Sequence, residues 1–251
     1  TPRYAGPVSF FRLPMLADPA LADIALLGLP WDGGTTNRSG ARHGPREMRA
    51  MSMFIRPFHH VTRTSPYTLN RVADFGDVPM NPVDIADSLT KIAGFYSGLQ
   101  AAGTVPVTAG GDHLITLPIL RGIAKSGPVG LIQFDAHSDT NDSYFGGHRF
   151  THGTWLRRAI EEGLVDAKRC VQVGIRGTRY APDGNDFAEN AGVTTLYIED
   201  VYRLGIPGVV AEVRRIVGQG PAYLTFDVDG IDPAFTPGTG TPEVGGFTVH
   251  E

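Results

Sequence analysis

The stretch LIQFDAHSDTND, residues 131–142, starts as a continuous apolar run and ends in acids and a histidine. A short unbroken apolar run bounded by turn residues reads as a strand buried on both faces, which belongs in a parallel sheet covered by helices. Comparable runs recur as IALLGLP (24–30), TVPVTAG (104–110), VQVGI (171–175), VTTLYI (193–198) and AYLTFDVD (222–229). Between them lie segments with helical spacing. VDIADSLTKIAGFYSGLQAAG (83–103) puts Ile85, Leu89, Ile92 and Phe95 on one face, and HGTWLRRAIEEGLVD (152–166) and VVAEVRRIVGQG (209–220) also close near glycine. The alternation predicts an α/β fold with a mostly parallel central sheet.

Composition narrows the function. The 251 residues are 41% hydrophobic and 19% charged, ordinary for a globular chain, and no composition shift, repeat or low-complexity tract marks a domain boundary. A formal net charge of −4 disfavours nucleic acid and anionic membranes as partners, since both select basic surfaces. Small molecules fit better. The single cysteine, Cys170, allows no internal disulfide and no zinc-ribbon pair, which suits a reducing cytoplasm. No apolar run reaches the length of a membrane span, and TPRYAGPVSFF lacks the pattern of a secretion signal.

The polar residues gather where strands end, which is where ligands of open parallel sheets bind. Residues two apart on a strand share a face, so Asp135, His137 and Asp139 are expected to converge. Asp227 and Asp229 repeat the device, with Asp232 beyond them, and GGDH delivers His113 after a third strand. Each fragment alone would read as a turn or a helix cap. Together they form a set of four carboxylates that would repel one another unless divalent cations neutralise them. Six oxygen and nitrogen ligands exceed the needs of one catalytic ion and suit two with bridging carboxylates. An oxygen-rich set without thiolate favours Mn²⁺ over Zn²⁺. His152, at the entry to a helix, reads equally as a proton shuttle or a cap. The loop after the first strand, with Asn37 and Arg38, could wall a pocket, but it carries no phosphate-binding spacing; Pro45 opens a helix behind it. Phe95, Tyr96 and Trp155 read as core or helix-face residues, and His59 and His60 as exposed.

Taken together, GTTNRSGARHGP (34–45), GGDH (110–113), DAHSD (135–139), HGT (152–154) and DVDGIDPAFTPGTGTPE (227–243) resemble the ureohydrolase family of arginases, agmatinases, proclavaminate amidinohydrolase and guanidino-acid hydrolases. The resemblance spans nearly the whole chain. It implies a three-layer α/β/α arginase-like domain over residues 1–251 that forms trimers or hexamers. It also implies two Mn²⁺ per chain, one on His113, Asp135, Asp139 and Asp227, the other on Asp135, His137, Asp227 and Asp229. The reaction implied is attack of an activated water, oriented by Asp139, on a guanidinium carbon, with His152 protonating the departing amine; urea and a primary amine result. Family members continue past this point into a block whose glutamate holds the guanidinium. Glu243 and Glu251 match neither its position nor its context, so the chain is expected to be incomplete at its C-terminal end.

Substrate choice is expected to lie in loop 140–152, through Asn141, Tyr144, His148 and Arg149, and in loop 33–43, through Asn37 and Arg38. These donors suit a distal carboxylate, although Asp142 opposes them. The first loop looks most like the guanidinopropionase and proclavaminate amidinohydrolase versions. The expected substrate is therefore a linear guanidino acid, 3-guanidinopropionate or 4-guanidinobutyrate, with agmatine as the alternative. A one-metal deacetylase and a non-catalytic guanidino-binding paralogue are the rivals from other classes.

Overall fold

The computed structural model describes residues 2–182, 184 and 186–251. It forms two compact units, one made of the residues up to Gly33 with Gly40–Ile123, the other of Gly34–Ser39 with Ala124–Glu251. Every strand pair in both is parallel.

In the first unit, β1 (Ile24–Leu29) is the centre of a sheet ordered β2-β1-β3, followed by α1 (Gly44–Ser52) and the short α2 (Pro66–Leu69). Pro45 starts α1, as its fixed φ and missing N–H allow. Strand β2 (Val72–Asp77) was not legible in the sequence, because VADFGD mixes acids and glycine into a run too weak to stand out; pairing with β1 makes it a strand. Helix α3 (Ile85–Ala102) begins at Asp84, whose side chain accepts from the Asp87 N–H, and ends at Gly103 in the left-handed region. Its inward face is carried by Leu89, Ile92, Tyr96 and Leu99. After β3 (Val105–Gly110), α4 (Thr116–Ile123) packs on α3 so closely that a methyl on Gly122 would lie 2.6 Å from Tyr96 Cβ. His59 and His60 are exposed.

The second unit has strand order β6-β5-β4-β7. β4 (Val129–Phe134) and β5 (Val165–Ile175) run through its middle, with α5 (Trp155–Glu161) between them in sequence. α5 is shorter than the helical spacing predicted, because residues 152–154 form a turn and Gly163 ends the segment with φ 70. α6 (Asp186–Ala191), β6 (Thr194–Tyr197) and α7 (Ile198–Val217) follow, and then β7 (Ala222–Phe226). α7 starts well before the expected 209 and bends where Gly205 leaves helical geometry two residues ahead of Pro207. Its buried Val201, Val209 and Val217 close a core with Val171, Val173, Leu196 and Phe247. Cys170 is fully buried, and burial pushes its thiol pKa up, so it is an inert packing residue. Among the described residues no helix is long and apolar enough to cross a membrane.

Candidate metal centre and substrate cavity

Register brings the first two carboxylates together. β4 and β7 pair in parallel up to Phe134 opposite Phe226, so Asp135 and Asp227 are the next residues out on neighbouring strands, joined by a bond from Asp227 N–H to the Phe134 carbonyl at 2.8 Å. Beyond that point the expected alternation does not operate. β4 has ended, and Asp135 bends the chain by accepting from the His137 N–H at 2.8 Å. Asp227 does the same with the Asp229 N–H at 3.1 Å, opening a single helical turn, Val228–Gly230. The two acid motifs are thus turn formers and potential ligands together. Across the gap, Asp229 accepts from Ala136 N–H at 3.1 Å and lies 3.1 Å from His137 Nδ1.

Asp135, His137 and Asp229 consequently offer ligand atoms within 4.8 Å of one another. Asp135 and Asp229 are almost wholly buried. Burying such carboxylates is costly unless they are compensated, so the donor set fits a divalent cation. Below Asp135 lies a buried amide ladder. Gln133 donates to Asp135 Oδ2 at 2.7 Å and accepts from Gln172 at 2.9 Å, and Gln172 accepts from Thr195 at 3.2 Å. Supporting bonds of this kind fix how a ligating carboxylate faces its ion. Asp139, also buried, adopts a left-handed φ of 53° and accepts from the Trp155 indole at 2.7 Å. His113 belongs to the first unit, buried at the start of the turn that follows β3, with Asp112 capping that turn.

His137 lies in a field of acids. Burial alone would lower its pKa; the hydrogen bond and charge of Asp229, with Asp135 and Asp139, overcome that and raise it to about 10. Without an ion the ring is therefore protonated at pH 7 to 8, and an ion arriving at Nδ1 must displace that proton. Mn²⁺ binding is expected to release about one proton per chain from this ring, with apparent affinity rising with pH until about 10 and levelling above it. Calorimetry in buffers of different ionisation enthalpy reads this directly; binding enthalpies that do not depend on the buffer would contradict it.

The cluster opens into a cavity of about 710 Å³ in the second unit, lined also by Asn37, Arg38, Asn141, Tyr144, His152, Arg179 and Glu243. His152 does not cap α5, whose first flanking residue is Thr154. Instead its Nε2 accepts from the Thr36 N–H at 3.1 Å and lies 2.6 Å from Thr36 Oγ1. A backbone N–H only donates, so Nε2 is the acceptor in that bond. Tyr144 is pushed up to about 12 by burial and the Asp139 charge, remains a phenol, and accepts from Asn141 Nδ2 at 2.9 Å. A methyl on Gly153 would come 2.8 Å from that phenol oxygen. Gly153→Ala should therefore displace Tyr144 and lower kcat/KM about 10- to 100-fold while leaving circular dichroism unchanged; an unaltered kcat/KM would remove Tyr144 from the substrate's path.

Two loop residues expected to meet substrate are placed elsewhere. Among the described residues, His148 and Arg149 do not line the cavity. His148 pairs with Tyr144 backbone to backbone in a small hairpin, and Arg149 is drawn to Glu161 at 3.1 Å and Asp142 at 3.6 Å. Asn37 and Asn141 do line it, although Asn37 spends its amide on the Gly240 carbonyl at 2.8 Å. Sequence reasoning missed Arg179, Tyr180 and Glu243, because they approach from loops remote in sequence with no motif around the first two. Glu243 stands 3.5 Å from His137 Nε2.

Fold and site define a parallel α/β protein with a buried carboxylate and histidine cluster, fit for divalent metal, at the carboxyl ends of its strands. Residues 22–251 match the arginase family model, and the chain belongs to the arginase family. Guanidinopropionase of Pseudomonas aeruginosa is 57% identical over 98% of this chain and 78% of its own length. Guanidinobutyrase of the same organism is 45% identical, covering 99% and 79%. The solved structure of proclavaminate amidinohydrolase from Streptomyces clavuligerus superposes with a TM-score of 0.94 at 39% identity, covering 98% of this chain and 82% of that one. The parallel-sheet α/β fold is accordingly the arginase-like one.

Proposed function

We propose that this chain is a binuclear Mn²⁺ amidinohydrolase that converts a linear guanidino acid to urea and a primary amine. The observation that carries the reading is the polarity of one cavity. Its inner side is lined by the buried Asp139 and Asp229 with the part-buried His137 and Asp227, while Arg38 and Arg179 line it from exposed positions. An extended molecule with a cation at one end and a carboxylate at the other matches that order. The likeness to guanidinopropionase and guanidinobutyrase supports the same class.

In this reading Asp135, His137, Asp227 and Asp229 would hold one ion, and Asp135, Asp139 and Asp227 would hold the other. When bound, such a pair supplies Lewis acidity that makes water nucleophilic near neutral pH. The protein's own residues do the rest. Asp139 accepts a hydrogen bond from the attacking water and aims it at the guanidinium carbon. His152, held beside Thr36 at the cavity wall, takes up a proton released when water attacks and passes it to the departing nitrogen, since an amine leaves poorly without one. Asn141 and Tyr144 meet the chain of the substrate, and Arg38 and Arg179 meet its carboxylate. Assembly as a trimer or hexamer is part of the same reading. The test is urea release by the Mn²⁺-loaded protein from 3-guanidinopropionate, 4-guanidinobutyrate, agmatine and arginine in parallel. Urea from a guanidino acid establishes the class; urea from agmatine alone would replace it with an agmatinase, and no urea from any would remove the catalytic reading.

A further inference from the structure

Trp155 carries an indole N–H that can only donate, on a side chain with no exposed surface. Buried there, the donor needs a protein acceptor, and it takes Asp139 Oδ2 at 2.7 Å. The next residue repeats the tie from the main chain, with Leu156 N–H donating to the Asp139 carbonyl at 3.2 Å. Asp139 is thus held at both its side chain and its backbone by the first two residues of α5. It needs holding, because its φ of 53° is a conformation that an L residue adopts at some cost. Between the tied ends runs the loop that delivers Asn141, Tyr144 and His152 to the cavity, and a bond from Asn141 N–H to the Gly153 carbonyl at 3.2 Å closes its neck.

We infer that Trp155 is a positioning residue: its indole sets the plane of the Asp139 carboxylate for metal and water, and anchors the loop that frames the substrate. The inference rests on the metal reading above. A purely packing role would make Trp155 matter to stability and leave metal affinity alone. A positioning role makes the affinity for the ion itself depend on one N–H, as bonds behind metal ligands commonly do.

The test uses metal-stripped full-length protein titrated with Mn²⁺ alone, with free ion followed by electron paramagnetic resonance. Trp155→Phe keeps an aromatic ring and loses the donor. It should bind one ion about 10- to 100-fold more weakly and lose a similar factor in kcat, with KM for the guanidino substrate within about twofold. Leu156→Ala, which opens a cavity at the next buried position but keeps both ties to Asp139, should lower the melting temperature while leaving Mn²⁺ affinity unchanged. A second measurement needs no change at Trp155. In a Trp31→Phe background Trp155 is the sole indole, and its emission should shift as Mn²⁺ shares the carboxylate it binds. Wild-type Mn²⁺ affinity in Trp155→Phe, or emission that stays constant across the titration, overturns the inference and leaves the metal reading standing. A parent protein that binds no Mn²⁺ overturns both.

Discussion

Asp135→Asn protein, reloaded with Mn²⁺, is expected to release urea at least about a thousandfold more slowly than the parent chain. It should also hold less than about one ion per chain. The substitution keeps the size of the side chain and an oxygen for the His137 N–H, so the turn after β4 survives. What it removes is the negative charge shared by the proposed ions, at a position with 1% exposure where solvent cannot substitute for it. The amide also presents an N–H₂ where Gln133 already donates, which adds a donor facing a donor. Metal content by mass spectrometry and urea by colorimetry decide the point together. Full metal content with near-normal turnover would show that Asp135 is only the turn former, and would take the proposed mechanism with it.

The second large effect is selection between guanidino acids and agmatine. The kcat/KM for 3-guanidinopropionate is expected to exceed that for agmatine by about 100-fold or more at low salt, because agmatine would bring an ammonium toward Arg38 and Arg179. Both arginines are exposed, so part of the discrimination is screened, and the ratio should shrink as ionic strength rises. Arg38 donates a long bond to the Thr239 carbonyl at 3.5 Å, and Arg179 donates to Tyr197 Oη at 2.6 Å. Arg179→Glu should therefore narrow or invert the ratio while leaving the acid cluster intact. A ratio that ignores both salt and this substitution would place substrate recognition elsewhere, in Tyr144 and Asn141.

Strands β1, β4 and β5 were legible because burial on both faces leaves an unbroken apolar run, a signal held within half a dozen neighbouring residues. The clustering of Asp135, His137 and Asp229 was legible too, but for an incomplete reason. Alternation along a strand predicted it, whereas carboxylates accepting their own downstream N–H groups bend the chain to produce it. β2 escaped because its strand state comes from pairing with β1 and is not encoded in its own residues.

What the sequence by itself determined is local or repeated: a parallel α/β architecture, the strand-end acids and histidines, and a donor set suited to divalent metal. Only the tertiary structure decided which donors those groups face. It turned Arg149 to Glu161 and Asp142, brought Arg179 and Glu243 to the cavity, and made a core tryptophan the partner of Asp139. The physical reason is range. Backbone pattern and turn chemistry act over a few residues and leave a periodic trace, whereas a hydrogen bond or ion pair across a cavity depends on how separate loops pack. No spacing in the chain records that packing.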